Sequence, residues 1–156
     1  MIVRRAEPGD VPAILRLIRA LATYEHAADA VEATEGMLQE TLFGDDVRVF
    51  GHVAEKDGAV VGIAIWFLNY STWTGRPGIY LEDLFVDDSV RGTGAGKALF
   101  QALAREAIAH GCARIDWAVL DWNTPAMDFY RAIGGRPQSG WDPWRLDEAA
   151  IKALAQ

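Results

Sequence analysis

The chain of 156 residues contains a single cysteine, Cys112. One cysteine cannot close an internal disulfide, so the sequence predicts a protein of a reducing compartment, the cytoplasm. No Cys–His pairing is evident around it, and we interpret the residue as a small buried thiol. The scarcity of cysteine therefore excludes a disulfide scaffold of the secreted kind.

Basic residues and long apolar runs are also in short supply. Lys and Arg number 15 against 22 Asp and Glu, a formal net charge of -7. This excludes nucleic acid as the main partner, because no basic surplus can neutralise phosphates, and it suits a cationic substrate. The longest apolar run, Ala59–Leu68, is far too short to span a bilayer, and the charged segment Met1–Asp10 does not resemble a signal peptide. No membrane partner is therefore expected. The histidines lack the spacing of metal ligands, so no bound metal is expected either.

What the chain does contain is a mixture of strand and helix patterns. Their order is β-α-α-β-β-β-α-β-α-β followed by a last helix. This order predicts an α/β (mixed α+β) fold in a single domain over residues 1–156, with a central mixed twisted sheet of about six to seven strands and helices on both faces. The predicted strands are Ile2–Arg5, Val47–Glu55, Ala59–Leu68, Ile79–Val86, Ala113–Leu120 and Trp141–Leu146.

The helix starts are marked by capping residues. Side-chain oxygens at the N-cap accept hydrogen bonds from the first N–H groups of a helix. The polar stretch Asn69–Gly78 is interpreted as a loop. The predicted N-cap residues are Asp10, Thr34, Asn123 and Asp147.

The most informative stretch runs from Ile79 to Phe100. An apolar strand is followed by a loop rich in Asp and Gly, and a helical pattern begins at about Gly94. Alternating glycines in this loop let the backbone bend tightly and let a ligand approach without meeting a Cβ atom. Because the first N–H groups of a helix are unpaired and carry the positive end of its dipole, the joint predicts an anion site, with phosphate as the first candidate.

Two common phosphate motifs fail on this loop. A Walker loop needs Ser or Thr after its lysine, but Lys97 is followed by Ala98. A dinucleotide fingerprint counted from Gly92 needs glycine where Lys97 stands. What remains is Arg-x-x-Gly-x-Gly over residues 91–96 behind an apolar strand, or else a plain glycine-rich turn that caps a helix. The first interpretation resembles the pyrophosphate loop of the GNAT superfamily of N-acetyltransferases, which hold acetyl-CoA.

A second segment carries the same resemblance. Asn-x-x-Ala-x-x-Phe-Tyr, from Asn123 to Tyr130 and followed by a glycine pair, is similar to the closing motif of that family. On pattern alone Tyr130 is interpreted as a core aromatic one turn after Met127. The resemblance implies instead a general-acid role for Tyr130, together with the GNAT fold and acetyl-CoA as cofactor. The implied cofactor-binding residues are Leu84, Phe85, Val86, Arg91, Gly92, Thr93, Gly94, Ala95, Gly96, Lys97, Asn123, Pro125 and Ala126.

Glu82 and Asp83 interrupt an otherwise apolar strand just before the glycine loop. A carboxylate in such a strand is costly unless it is paired or faces a wet cleft, and neighbours along a strand point to opposite faces. We expect Glu82 to be catalytic, by ordering water that removes a proton from the amine, or to bind the ammonium directly. The alternative is a carboxylate held in a salt bridge.

The resemblance narrows to the spermidine/spermine N-acetyltransferases and their thialysine-acetylating relatives. It covers nearly the whole chain and implies a homodimer. The pieces that carry it are Tyr24-Glu25, Tyr70–Trp73, Tyr80–Val86 and Trp144–Leu146. The substrate-binding residues that it implies are Tyr24, Glu25, Trp73, Glu82 and Asp142.

Two departures from the polyamine enzymes bear on the substrate. Ser71 stands where they carry an acidic residue, and Asp116 stands where they carry a histidine. Because the loss of an acidic contact weakens binding of a polycation more than of a compact amino acid, the sequence favours a small amine substrate: a lysine-like amino acid such as thialysine, or a short diamine. Three alternatives stay open: a polyamine acetyltransferase, an enzyme for protein amino groups, and an acyl-CoA-binding module without turnover.

Overall fold

A computed structural model describes every residue from Met1 to Gln156, and the chain divides into two compact units, Met1–Leu120 and Asp121–Gln156. No helix is both long enough and apolar enough to cross a membrane. The strands are β1 (Ile2–Arg5), β2 (Val49–Lys56), β3 (Ala59–Ser71), β4 (Arg76–Val86) and β5 (Ile115–Asp116). The helices are α1 (Val11–Tyr24), α2 (Glu35–Phe43), α3 (Ala95–Ala109), α4 (Thr124–Ala132) and α5 (Glu148–Leu154).

The first unit is built on one sheet with the strand order β1-β2-β3-β4-β5. Neighbouring strands are antiparallel except β4 and β5, which run parallel and pair only at Ile79 with Ile115 and at Tyr80 with Asp116. The predicted mixed α/β sheet is confirmed, with five strands in place of the six to seven expected.

The hairpin of β3 and β4 is longer than predicted. The expected loop Asn69–Gly78 is strand over most of its length, because the two strands pair as far as Ser71 with Arg76. The polar side chains in this stretch suggested a loop. The continuous backbone ladder of the hairpin outweighs that local preference.

The last two predicted strands differ most from the structure. The stretch Ala113–Leu120 contributes only the two residues of β5, and Trp141–Leu146 forms no strand. In the latter, Pro143 has no N–H for a strand ladder and Trp144 is 94% exposed. A strand at this place would therefore lack both a ladder bond and a buried face.

Helices cover both faces of the sheet, as predicted. On one face, α1 and α2 contribute to a hydrophobic core with β2, β3 and β4. On the other, Gly62 of β3 lies so close to α3 that a Cβ atom there would stand 3.4 Å from Leu99. The buried side chains of the first core are Ile14, Leu17, Leu42, Val53, Ile63, Ile65 and Phe85.

Three of the four predicted caps are confirmed. Thr34, Asn123 and Asp147 each accept a hydrogen bond from the backbone N–H three residues further on. Asp10 stands at its predicted position, but its carboxylate binds the guanidinium of Arg4 at 2.7 and 3.0 Å. This ion pair ties β1 to the start of α1.

A buried histidine lies on the α3 side of the sheet. Trp66 donates from Nε1 to Nδ1 of His52 at 3.1 Å, and Nε2 of His52 lies 3.4 Å from Glu106 Oε1. Arg5 binds that carboxylate through two bonds of 2.7 Å. Because Nδ1 accepts the Trp66 hydrogen, the imidazole is neutral with its proton on Nε2. Burial, reinforced by the charge of Arg5, lowers the pKa of His52 to about 4.

Acid should therefore weaken the fold through His52. The unfolded chain takes up this proton near the ordinary pKa of 6.5, whereas the folded chain does so only near 4. The contribution of His52 is complete above pH 6.5 and is lost as the pH falls towards 4, by up to about 3 kcal/mol. In urea titrations at a series of pH values, His52→Asn should flatten this fall, because its amide keeps an acceptor for Trp66 and does not titrate.

The variant His52→Leu separates titration from the hydrogen bond. It also removes the titrating group, but it leaves the Trp66 N–H without an acceptor, which costs about 1–3 kcal/mol at every pH. If the free energy of unfolding of both variants fell between pH 6.5 and 4 as steeply as that of the wild type, the role assigned to His52 would be contradicted.

Candidate active site

The middle of β4 carries a β-bulge at Glu82. Ile65 of β3 pairs with Asp83 and Trp66 pairs with Leu81, so Glu82 is an extra residue without a partner. A bulge shifts the side-chain alternation of a strand by one residue. Before the bulge Leu81 shares the face of Trp66, and after it Asp83 shares the face of Ile65, where α1 packs.

The bulge brings carboxylates together. Glu82 is exposed and Asp83 is half-buried. Burial raises the pKa of Asp83 to about 6, and repulsion from Glu82 and Glu25 adds to the shift. Glu25 follows the last residue of α1, and burial raises its pKa as well. We call Glu25, Glu82 and Asp83 the acidic group; none of them forms an ion pair with a Lys, Arg or His side chain.

Tyr80 lies next to the acidic group, at the short pairing of β4 with β5. Its pKa is raised first by burial and then by the charges of Glu82 and Asp116. Asp116 itself pairs with Arg114, Nε to Oδ2, at 2.9 Å. The phenol therefore stays protonated around neutral pH and remains a hydrogen-bond donor at the margin of the site.

Beyond Tyr80 the outer edge of β4 is unpaired. Because β5 pairs with β4 at only two positions, Leu84, Phe85 and Val86 have no neighbouring strand on that side. Backbone N–H and C=O groups at such an edge can bind an extended ligand in the manner of an added strand. These three residues belong to the predicted cofactor-binding set.

The glycine loop joins β4 to α3. Gly92 and Gly94 have φ values of 77° and 88°, a left-handed conformation that favours glycine. Apart from the glycine and its two chain neighbours, no residue comes within 4 Å of the point where a Cβ would stand at either position. α3 begins at Ala95, with Gly96 and the exposed Lys97 in its first turn. The loop therefore combines bare backbone with a helix start and a positive charge, the composition of an anion site.

Arg91 leads into this loop, but its guanidinium turns towards α1. Its Cζ lies 4.9 Å from the ring centroid of Tyr24 and 5.6 Å from that of Phe85. Nη2 pairs with Asp88 at 2.8 Å, and Nε donates to the carbonyl of Val86 at 3.4 Å. Arg91 and Tyr24, predicted for the cofactor and the amine respectively, are thus in direct contact.

Thr93, the remaining predicted residue of the loop, uses its hydroxyl within the loop. It donates to the carbonyl of Val90 at 2.6 Å. The backbone N–H of Thr93 donates to the same carbonyl at 3.3 Å, so both groups of Thr93 stabilise the turn between Val90 and Gly94.

One chain assembles only part of the predicted amine side. Glu25 and Glu82 both act on Asp83, and Tyr24 is the neighbour of Glu25. Trp73 lies in the turn between β3 and β4 and is 87% exposed. From the start of β4 to Glu82 the strand extends ~20 Å, so Trp73 stands at the far end of the hairpin from the acidic group.

Asp83 is the site residue that the sequence interpretation passed over. Strict alternation sends neighbouring residues to opposite faces, and a role was therefore assigned to Glu82 alone. The signal was present, because two adjacent carboxylates in an apolar strand are both costly and both call for an explanation. A bulge is the device that lets both serve one site.

The second unit carries the other predicted residues. Asn123 is buried and caps α4, because its Oδ1 accepts a hydrogen bond from the backbone N–H of Ala126. Tyr130 is half-buried on this helix, with its ring centroid 5.6 Å from that of Phe129. Asp142 is exposed in the stretch between α4 and α5 that lacks regular structure. The predicted residues of this unit are Asn123, Pro125, Ala126, Tyr130 and Asp142.

Known proteins are similar to this chain in sequence, and a solved structure is similar to it in fold. Thialysine N-epsilon-acetyltransferase of Bos taurus is 38% identical over 166 residues, covering 99% of this chain and 97% of the relative. Spermidine/spermine N(1)-acetyltransferase-like protein 1 of Homo sapiens is 34% identical over 151 residues, covering 92% of this chain and 22% of that protein. The solved structure of an integron cassette protein from the mobile metagenome of V. cholerae superposes with a TM-score of 0.82 at 26% identity, covering 99% of this chain and 97% of that one.

The family match includes the parts of the chain described above. The model of the acetyltransferase (GNAT) family matches residues 12–134, which include the bulge of β4, the glycine loop and α4. That span is well over half of the chain. On these grounds the chain belongs to the acetyltransferase (GNAT) family.

Proposed function

We propose that this protein transfers an acetyl group from acetyl-CoA to the primary amine of a small cationic substrate, a lysine-like amino acid such as thialysine or a short diamine. The observation that carries the proposal is the acidic group, which lies directly before the open edge of β4. Similarity to thialysine N-epsilon-acetyltransferase supports the lysine-like substrate.

The acidic group lacks the arginine partner that two largely buried carboxylates of the first unit have. Asp10 and Glu106 are each bound by an arginine at 2.7 Å. The acidic group has no such cation, and mutual repulsion contributes to the raised pKa of Asp83. A substrate ammonium among these carboxylates would supply the missing charge and relieve the repulsion. A cationic substrate is therefore the ligand that this arrangement favours.

Glu82 and Asp83 suit different tasks. An alkylammonium group has a pKa of about 10, so it must lose a proton before it can attack. The exposed Glu82 is placed to accept that proton through water. Asp83, partly shielded on the α1 face, is placed to hold the charge of the substrate.

The residues of the first unit fit acetyl-CoA. The open edge at Leu84–Val86 offers backbone groups to the amides of the pantetheine arm, and the bare loop at Gly92 and Gly94 leaves room for the pyrophosphate. When bound, the cofactor supplies an activated acetyl thioester. For the second unit, the family resemblance supports a place for Asn123, Pro125 and Ala126 along the pantetheine arm.

We propose direct attack of the amine in a ternary complex. Tyr130 would donate a proton to the leaving thiolate. A covalent acetyl-enzyme would need an activated nucleophile, and Cys112 does not qualify, because burial raises the pKa of its thiol and so disfavours the thiolate.

A single domain over residues 1–156, a homodimer and a cytoplasmic location complete the proposal. The family match supports the single domain, since residues 12–134 span the boundary between the two units. Exposure of 75% for Trp141 and 94% for Trp144 supports a subunit contact near the C-terminus. Trp73 and Asp142 remain proposed amine contacts.

The glycine loop offers a direct check of cofactor binding. Gly94→Ala places a side chain at a φ of 88° and in the space proposed for the pyrophosphate, so the Kd for acetyl-CoA measured by calorimetry should rise about tenfold. Gly58→Ala is the matched control, because Gly58 has a φ of 79° and an equally open surrounding, but lies in the turn between β2 and β3. Both variants should lose similar thermal stability. Equal Kd values in the two variants would speak against the loop as the cofactor site.

A CoA-release assay with a panel of amines tests the function. The panel contains thialysine, lysine, hydroxylysine, putrescine, spermidine, spermine and a lysine peptide, each with acetyl-CoA. Turnover concentrated on the lysine-like compounds or putrescine is expected. Preferred turnover of spermidine or spermine would establish the polyamine alternative instead. Tight CoA binding without turnover of any amine would favour the acyl-CoA-binding module.

A further inference from the structure

The contact between Arg91 and Tyr24 joins a residue predicted to bind the cofactor to a residue predicted to bind the amine. We infer that Tyr24 is a positioning residue for cofactor binding, whose ring holds the Arg91 guanidinium ready for the pyrophosphate of acetyl-CoA. The inference rests on the proposed function, because it takes CoA as the ligand, and it moves Tyr24 from the amine side to the cofactor side.

The geometry leaves part of the guanidinium available to a ligand. Arg91 lies over the rings of Tyr24 and Phe85, with Cζ at 4.9 and 5.6 Å from their centroids. Val86 and Asp88 engage Nε and Nη2, which leaves Nη1 for an incoming oxygen. The Arg91 side chain is 44% exposed and borders a cleft of ≈ 330 Å³ between α1 and the start of the loop.

A cation–π contact suits an arginine that must bind an anion. The planar guanidinium directs its N–H donors outward in its own plane, so an aromatic face can hold it without consuming a donor. The ion pair with Asp88 holds it only weakly, because that carboxylate is 79% exposed and screened by water. The two rings are therefore the main restraint on the Arg91 side chain.

The position of Tyr24 relative to the loop is itself fixed. Arg16, on the same helix α1, donates from Nη2 to the carbonyl of Val60 at 2.8 Å. Its Nη1 pairs with Asp87, the residue after β4, at 3.4 Å. These contacts attach α1 to the segment that leads into the glycine loop. A ring on the last residue of α1 can thus set the position of a side chain in the loop.

Calorimetric titration with CoA, in the absence of amine, tests the inference. Tyr24→Phe keeps the aromatic face and should bind CoA within about twofold of the wild type, whereas Tyr24→Leu should bind about three- to tenfold more weakly. In the background of Arg91→Ala, Tyr24→Leu should have no further effect, because the side chain that it positions is gone.

A second substrate separates positioning from simple loss of packing. S-acetylpantetheine lacks the pyrophosphate, so kcat/KM for this thioester should be the same in Tyr24→Leu as in the wild type. An unchanged Kd for CoA in Tyr24→Leu, an additive loss in the double variant, or an equal loss with S-acetylpantetheine would overturn the inference. Failure to acetylate any amine would overturn only the proposed function, because CoA binding is measured without amine.

Discussion

Glu82→Gln should lower kcat at pH 7.5 by about 10²-fold, the usual contribution of a positioned general base. The carboxylate lies at the bulge of β4, exposed and without an ion pair, where it can accept a proton through water. Glutamine keeps the size of the side chain and removes its basicity. The Kd for acetyl-CoA should change less than twofold, because Glu82 precedes the open edge and the glycine loop.

The dependence on pH gives this prediction a sharper form. Without the base, only amine that is already deprotonated can attack, and that fraction rises as the pH approaches the amine pKa of about 10. The rate of Glu82→Gln should therefore recover steeply between pH 7.5 and 9.5, whereas that of the wild type rises less. If kcat of Glu82→Gln stayed lower than that of the wild type by the same large factor from pH 7.5 to 9.5, Glu82 would have another role.

Asp83→Asn is the matched control, since it neutralises the adjacent carboxylate. We expect a higher KM for the amine with a smaller change in kcat. In the wild type that KM should rise below about pH 6 as Asp83 takes up its proton, and in the variant this rise should be absent. Because the folded-state pKa of Asp83 is raised, its ionisation costs stability above pH 6, so the variant should also unfold at a higher temperature there.

Tyr130→Phe should lower kcat by about 10²-fold or more while the Kd for CoA stays near the wild-type value. The substitution removes one hydroxyl and keeps the ring that packs beside Phe129 on α4. A thiolate that leaves without a proton donor is a poorer leaving group, so the substitution should slow the chemical step and thereby lower kcat.

The competing interpretation of Tyr130 is a core aromatic on the inward side of α4. That role predicts little change in kcat for phenylalanine, which is apolar and nearly isosteric, and a thermal unfolding temperature at or above that of the wild type. Steady-state kinetics with the preferred amine, together with calorimetric binding of CoA, distinguishes the two roles. A loss confined to CoA affinity would remove Tyr130 from the chemistry.

The features that could be predicted from sequence are those set by short-range rules. Gly92 and Gly94 occupy positions of positive φ, a conformation that other residues avoid. Thr34 and Asn123 cap their helices because the side-chain oxygen is close to the N–H groups that need an acceptor. The motif of the glycine loop, the proposed cofactor site, is local in the same sense. These rules need no knowledge of what lies across the sheet.

The features that could not be predicted depend on partners distant in sequence. The bulge at Glu82 is defined by the pairing of β4 with β3, which the sequence does not reveal. Without knowledge of the bulge, the position of Asp83 in the acidic group cannot be predicted. Trp141–Leu146 was predicted as a strand, but a strand also needs a neighbour for its backbone groups. The contact of Tyr24 with Arg91 likewise arises only when α1 packs against the sheet.

The gap between β4 and β5 has a consequence for handling the protein. An unpaired strand edge attracts other strands, and most proteins protect such edges with charges, prolines or covering segments. Here the edge at Leu84–Val86 is followed directly by Asp87 and Asp88, whose negative charges discourage edge-to-edge association. A ligand bound along this edge would cover it more completely, so the protein should resist aggregation best when it is purified and stored with CoA.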